Sequence, residues 1–214
     1  MERVICVVLG YVFGLFQTSY IYGRMNGIDI RKHGSGNAGT TNMIRTLGLK
    51  AGVITFIGDV LKCMAAVAIM RLIFGEKYEH IIKVFSLYTA AGVILGHNFP
   101  FYLGFRGGKG IAASVGFVLS FDPLLSALGI TTFILVFLLT HYVSLGSLII
   151  YIAFVIEIIL LGQHGYFALE QNYLNEMYAV SIFLMILAFW MHRANIGRLI
   201  RGEENKTYLS KKKK

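Results

Sequence analysis

Long apolar stretches alternate with short polar, glycine-rich ones along this chain. The apolar runs fall at about 3–23, 51–74, 81–103, 110–121, 123–141, 145–162 and 177–192. A helix needs roughly 17–25 mostly apolar residues to cross a bilayer. The pattern therefore predicts an all-α, polytopic integral membrane protein with seven transmembrane helices. The fourth run is the shortest. It borders Asp122-Pro123 and reads as tilted, re-entrant or broken there. The first run has one early Arg but no small-x-small cleavage site before the polar stretch. It reads as a membrane helix and not as a removed leader.

Composition agrees. The chain has 214 residues, of which 56% are hydrophobic and only 14% charged, and its mean hydropathy is +0.67. That exceeds the apolar share of an ordinary soluble domain. One membrane-embedded domain, 1–214, accounts for the length, with a basic tail at 205–214. The net charge of +9 raises nucleic acid as a partner, but its distribution points to the bilayer instead. With seven crossings, one face carries Arg24, Arg31, Lys32, Arg45, Lys50, Arg106, Lys109, Arg193, Arg198, Arg201, Lys206 and the terminal lysines. The other carries Arg3, Arg71, Lys77 and Lys83. The positive-inside rule then puts the N-terminus outside and the C-terminus in the cytoplasm. Cys6 and Cys63 both fall in apolar runs, without CxxC or metal-like spacing, and read as buried thiols. No cofactor is implied.

Three polar segments carry the chemistry, and all emerge on the cytoplasmic face of this topology. The first is Gly34-Ser35-Gly36-Asn37-Ala38-Gly39-Thr40-Thr41-Asn42, followed by Arg45. Glycines let backbone N–H groups approach an anion, and hydroxyl, amide and guanidinium groups add donors to oxygen. The spacing is neither a Walker A loop nor a dinucleotide fingerprint. The second is Gly96-His97-Asn98-Phe99-Pro100 and then Phe105-Arg106-Gly107-Gly108-Lys109-Gly110. Pro100 ends or kinks the third span. Irregular backbone at a membrane surface is tolerated where it lines a polar cavity. His97 reads as a base, a phosphate donor or a structural hydrogen bonder. The third is His192-Arg193-Ala194-Asn195-Ile196-Gly197-Arg198, followed by Gly202-Glu203-Glu204. On a continuous helix His192 and Asn195 share a face. Ordinary alternatives exist for each: a linking turn, a head-group grip, a positive flank. Deeper in the chain, Asp59 and Lys62 sit three apart, as a functional pair or a structural brace, and Glu157 has no obvious local partner.

Taken together, these segments resemble the PlsY family of bacterial acyl-phosphate:glycerol-3-phosphate acyltransferases. The resemblance rests on GSGNAGTTN with Arg45, GHNFP with FRGGKG, and HRANIGRL with GEE, in that order. It extends to HYVSLGS between the fifth and sixth runs. The chain departs from the family pattern at Arg106 (usually Lys), Cys63 (usually Gly), Leu15-Phe16-Gln17 (usually Ser-Ile-Pro) and His141 (usually Arg). The resemblance implies a multi-pass enzyme of the bacterial inner membrane, with its active site on the cytoplasmic face. Acyl phosphate would donate its acyl group to the 1-hydroxyl of glycerol 3-phosphate, giving lysophosphatidic acid and phosphate.

On this reading Ser35, Arg45, Lys109, His192 and Asn195 are catalytic. Gly34, Gly36, Asn37, Gly39, Thr41, Asn42, His97, Arg106, Gly107, Gly108, Gly110 and Ser144 bind substrate. The first segment holds the acyl-phosphate head. Lys109, Arg45 and the 107–110 backbone hold the glycerol phosphate. His192, His97 or a substrate phosphate accepts the proton. No Ser-His-acid arrangement or His-x4-Asp box is present, so no acyl-enzyme is expected. The rival readings are a carrier of phosphorylated small molecules, with a site expected near the midplane, and a non-catalytic lipid-binding scaffold.

Overall fold

The computed structural model describes residues 1–207; most of the basic tail at 205–214 lies outside them. Among the described residues the only regular structure is helical: α1 (Glu2–Gly14), α2 (Thr18–Met25), α3 (Thr40–Leu47), α4 (Leu49–Phe74), α5 (Ile82–Asn98), α6 (Ile111–Phe121), α7 (Pro123–Thr140), α8 (Val143–Gln163), α9 (Gln171–Met191) and α10 (Arg193–Ile200), with short 3-10 turns between some of them. Among the described residues six segments are long and apolar enough to cross a membrane: Glu2–Met25, Leu49–Phe74, Glu79–Leu103, Pro123–Thr140, Val143–Gln163 and Gln171–Met191. The seventh expected span, α6, has 11 residues, about 16 Å at 1.5 Å per residue against a hydrocarbon core of about 30 Å. Asp122 explains why it stops. Its carboxylate caps α7 by accepting from the Leu124 and Leu125 amides at 3.0 and 3.3 Å, and Pro123 suits the first helical position.

The first span departs from the continuous helix expected of it. It breaks at Leu15–Gln17, between α1 and α2. Carbonyls near the break find side-chain donors. Gly14 O accepts from the Gln17 amide (3.3 Å), Leu15 O from Tyr102 (2.7 Å) and Phe16 O from Lys62 Nζ (2.8 Å). Broken helices are stable at membrane depth when neighbours supply such partners. The seventh run forms one helix that ends at Met191, and a new one starts at Arg193, so Asn195 sits in the first turn of α10 instead of continuing α9.

α1 and α5 lie backbone to backbone. Gly10 and Gly14 on one helix face Gly92 and Gly96 on the other. A Cβ on Gly96 would stand 2.3 Å from the Tyr11 carbonyl, and one on Gly14 2.3 Å from that of Val93. Small residues four apart permit this approach, which drives helix association where water is absent. The apolar side chains left outside, among them Val4, Val8, Leu61, Leu135 and Ile186, are exposed and face lipid.

The two ends of the bundle differ. At one, Arg3 grips Glu176 with two bonds (2.5 and 2.7 Å), Tyr78 donates to Glu2, and Lys83 and Tyr166 both reach Asp122. At the other, the three glycine-bearing segments converge. Gly96→Leu forces a side chain into a helix backbone, an overpacking cost of about 3 kcal/mol. It is expected to lower the melting temperature in detergent markedly, while lipid-facing Leu61→Ala leaves it nearly unchanged.

Candidate active site

The first segment is shaped by its own backbone. Arg31 pairs with Asp29 through Nε (3.0 Å) and Nη2 (2.7 Å) and donates from Nη1 to Leu103 O (2.9 Å), which ties the loop to the chain after α5. The guanidinium holds the Asp29 carboxyl at about 2. Gly34 and Gly36 take left-handed backbone, φ +58 and +71, which glycine adopts without strain. A Cβ on Gly34 would strike Asn42 Oδ1 at 2.2 Å. Asn42 itself is buried. Its Oδ1 accepts from the Ser35 amide (2.8 Å), and its Nδ2 donates to His33 O (2.9 Å) and Ile30 O (3.3 Å). The expected substrate contact from Asn42 is therefore replaced by a structural one, because its amide is committed to holding Ser35 in place. The Ser35 residue is exposed. α3 then starts at Gly39 without a capping side chain, leaving first-turn amides at Thr40 and Thr41 for an anion. Asn37 lies at the same turn, its Nδ2 2.9 Å from where a Gly39 Cβ would stand.

The second segment folds back onto the end of α5. Gly107 N–H donates to Asn98 O and Gly108 N–H to His97 O, both at 3.1 Å. A Cβ on Gly107 would sit 1.9 Å from His97 O. One on Gly108 would sit 2.1 Å from His97 Nε2 and 2.6 Å from Ala38 O. These glycines let three strands of chain touch. Their amides are engaged by α5, so they are not the phosphate donors the sequence led us to expect. Gly110, at φ +82, opens α6 with no side-chain cap. Two uncapped helix starts, of α3 and α6, thus flank the contact between Ala38 and Gly108. Arg106 is exposed. It lines a polar cavity of about 560 Å³ with Asp29, Arg31, Lys32 and Gly36.

The third segment completes the cluster. Lys109 Nζ donates to Asn195 Oδ1. Asn195 Nδ2 donates to Glu204 Oε1 at 2.6 Å, Ser144 Oγ to the same oxygen at 2.8 Å, and Arg198 Nε to Oε2 at 2.6 Å. Glu204 is the site residue that sequence reasoning passed over. The Gly202-Glu203-Glu204 run was visible, but nothing in its spacing showed which carboxylate folds inward. Burial acts to raise its pKa, yet the bonds from Asn195, Ser144 and Arg198 prevail and keep it below the usual value. Burial lowers the Lys109 ammonium to about 8. Glu204 opposes that shift, while Arg198 and Arg45 add to it, so exposed Arg45 acts in the same field. His192 is buried, with Nδ1 2.8 Å from Ala188 O. That contact puts the proton on Nδ1 and leaves Nε2 with a lone pair. Burial and then the Lys109 cation lower its pKa to about 4.

His97 has a different place. Its Nδ1 lies 2.8 Å from Lys62 Nζ, which also bonds Asp59 Oδ1 (2.8 Å) and Phe16 O (2.8 Å); Thr18 adds a bond to Asp59 (3.1 Å). An ammonium donates, so Nδ1 accepts and His97 has no free lone pair for a proton. This excludes it as the base in this arrangement and makes the Asp59–Lys62 pair a brace beneath the site. Deeper still, starting at Ile111 next to Gly110, an apolar cavity of about 430 Å³ opens among α4–α9.

A multi-pass membrane protein with cations, a neutral imidazole and uncapped helix ends gathered over an apolar cavity is built to handle an amphiphile with an anionic head. The comparisons narrow that class. Residues 4–202 match the family described as glycerol-3-phosphate acyltransferase. The glycerol-3-phosphate acyltransferase of Clostridioides difficile (strain 630) is 42% identical over 206 residues, 95% of this chain and 94% of that one. That of Shouchella clausii (strain KSM-K16) is 41% identical over 209 residues, 96% of each. Among solved structures, PlsY (YgiH), an integral membrane glycerol 3-phosphate acyltransferase, superposes in its glycerol 3-phosphate form with a TM-score of 0.80 at 30% identity, covering 97% of this chain and 96% of that one. Its lysophosphatidic acid form gives 0.78 at 29%, with the same coverage. The chain belongs to the PlsY family of glycerol-3-phosphate acyltransferases.

Glu204→Gln withdraws a carboxylate that raises the Lys109 pKa. Lys109 is expected to titrate below about 8 in that variant, as read by NMR of the ¹³C-methylated lysine.

Proposed function

We propose that this protein transfers a fatty acyl group from acyl phosphate to the 1-hydroxyl of glycerol 3-phosphate, releasing lysophosphatidic acid and phosphate. The observation that carries this is the convergence of Lys109, Asn195 and neutral His192 beside the Ser35 loop, over an apolar cavity at membrane depth. The names of the relatives support the acceptor. The acyl-phosphate donor rests on the resemblance of the three polar segments to the PlsY family, and the site is compatible with it. Acyl phosphate is an activated mixed anhydride that needs no enzyme nucleophile, and no covalent-catalysis arrangement is legible here.

In the reaction the acceptor hydroxyl oxygen attacks the acyl carbonyl carbon. The bond from that carbon to the phosphate oxygen breaks, and its electron pair leaves with phosphate. The hydroxyl proton passes to His192 Nε2 or to the departing phosphate. Lys109 and Arg45 hold the acceptor's phosphate. Ser35 and the open amides of α3 and α6 hold the donor's phosphate and stabilise the charge that develops on it. Asn195, positioned by Glu204, orients Lys109. The cavity takes the acyl chain, so the donor reaches the site from the bilayer.

The topology follows the chain. Lys109 before α6 meets Asn195 at one end of the bundle, and Asp122 after α6 meets Lys83 and Tyr166 at the other. With α6 read as a short seventh crossing, the excess of Lys and Arg at the site end supports a topology with the N-terminus outside and the site on the cytoplasmic face.

Purified protein in detergent, given glycerol 3-phosphate and a long-chain acyl phosphate, is expected to form lysophosphatidic acid, with no product from acyl-CoA. Lys109→Ala is expected to lower kcat/KM by about 10²-fold or more. A folded native protein that forms no product, or that only moves substrate across vesicles, would overturn the reading. With His192 as the proton acceptor and Lys109 as a cation, kcat/KM is expected to rise through pH about 4 and to fall through about 8. A rate that keeps rising past pH 8 would remove the charged Lys109 from the mechanism.

A further inference from the structure

One residue of the apolar cavity differs from the rest. Glu157 lines it and forms no hydrogen bond or ion pair with another described residue. The hydroxyls on the same lining are engaged: Ser114 with Gly110 O and Tyr151, Ser126 with Val118 O and Asp122 O. A carboxyl at membrane depth without a structural partner is costly, and such residues are functional by default.

Its depth follows from the rise of the helices that line the cavity. From Val143 at the site end of α8 to Glu157 is about 21 Å of helix axis. From Thr140 at the site end of α7 to Ser126 is likewise about 21 Å. The lining residues next to the site segments are Ile111, directly after Gly110, and Ile94, one turn before Asn98. Half of a ~30 Å hydrocarbon core is about 15 Å. An acyl chain whose phosphate sits at Ser35 and the start of α6, and which runs down this cavity, would point its methyl end toward Glu157.

We propose that Glu157 selects the acyl donor by its far end. It disfavours chains whose methyl terminus reaches it and favours shorter chains, or chains ending in a hydroxyl. The physical reason is the cost of a polar group covered by hydrocarbon without a returned hydrogen bond, a cost that a terminal hydroxyl removes. The proposal rests on the acyl-phosphate reading above.

The test compares kcat/KM for acyl phosphates of increasing length, with and without a terminal hydroxyl, in the native enzyme, Glu157→Leu and Glu157→Gln. Glu157→Leu is expected to raise the ratio of long-chain to short-chain use by roughly tenfold and to reverse the preference for the hydroxylated donor. Glu157→Gln, which still hydrogen-bonds, is expected to keep the native ranking. A Cβ on Gly129, another lining residue, meets nothing within 4 Å. Gly129→Leu therefore fills the cavity and is expected to abolish long-chain use first. Product formation with an unchanged ranking in Glu157→Leu overturns the proposal and leaves the enzyme reading intact. No product from any donor in the native protein overturns the enzyme reading itself. If Glu157→Leu does not fold, the native enzyme decides: equal use of plain and hydroxylated donors of one length overturns the proposal.

Discussion

The buried ammonium of Lys62 is the node on which the site end of the bundle depends. Its three bonds reach three separate segments: Phe16 O at the break between α1 and α2, Asp59 on its own helix, and His97 at the end of α5. Taking away one partner would leave the other charge buried and uncompensated, which costs far more than the pair contributes. This arrangement holds the last turn of α5 in one position. The Gly107-Gly108 turn rests on that turn through two amide bonds and close backbone contact. Lys109 follows directly. Its location is thus inherited, through α5, from a charge pair in the membrane interior.

Around Lys109 the electrostatics are deliberately short of negative charge. Lys109, Arg45 and Arg198 share one field, and Glu204 is the carboxylate that answers them. Glu204 is itself bonded by Asn195, Ser144 and Arg198, so it orders the cluster without neutralising it. Burial makes the remaining positive charge expensive until an anion arrives. In the proposed reaction, a site preorganised in this way would stabilise a phosphate without rearranging at the moment of reaction.

The brevity of α6 joins the polar site to the apolar cavity. A helix of 11 residues begins at Gly110 and ends at the Asp122 cap of α7. Its uncapped start therefore lies close to the hydrocarbon, and the cavity begins with the next residue. Irregular backbone at such depth is permitted where protein surrounds it. Here the end of α5 and the Ala38 loop do so, across glycines with no side chain to hold them apart. α7 packs on α6 and α8 and leaves most of its surface outside the bundle.

Much of this was legible in the sequence, because apolar length and charge asymmetry are one-dimensional properties that a bilayer reads directly. Six of the seven apolar runs form helical segments of spanning length, the first of them broken in two, and the segments holding Ser35, Lys109 and Asn195 do meet at one end. Sequence alone also showed that Asp59 and Lys62 lie one turn apart. Other assignments were open until the chain folded. The role of His97 turns on which nitrogen faces Lys62. That of Asn42 turns on which loop carbonyls its amide reaches, and that of Gly107 and Gly108 on how near the α5 backbone comes. The choice of Glu204 over Glu203 turns on the path of the chain after α10. Residue type and spacing state which bonds a side chain is able to make. Only packing decides which partners lie within 3 Å of it, and therefore whether a donor is spent on the protein or kept for a substrate.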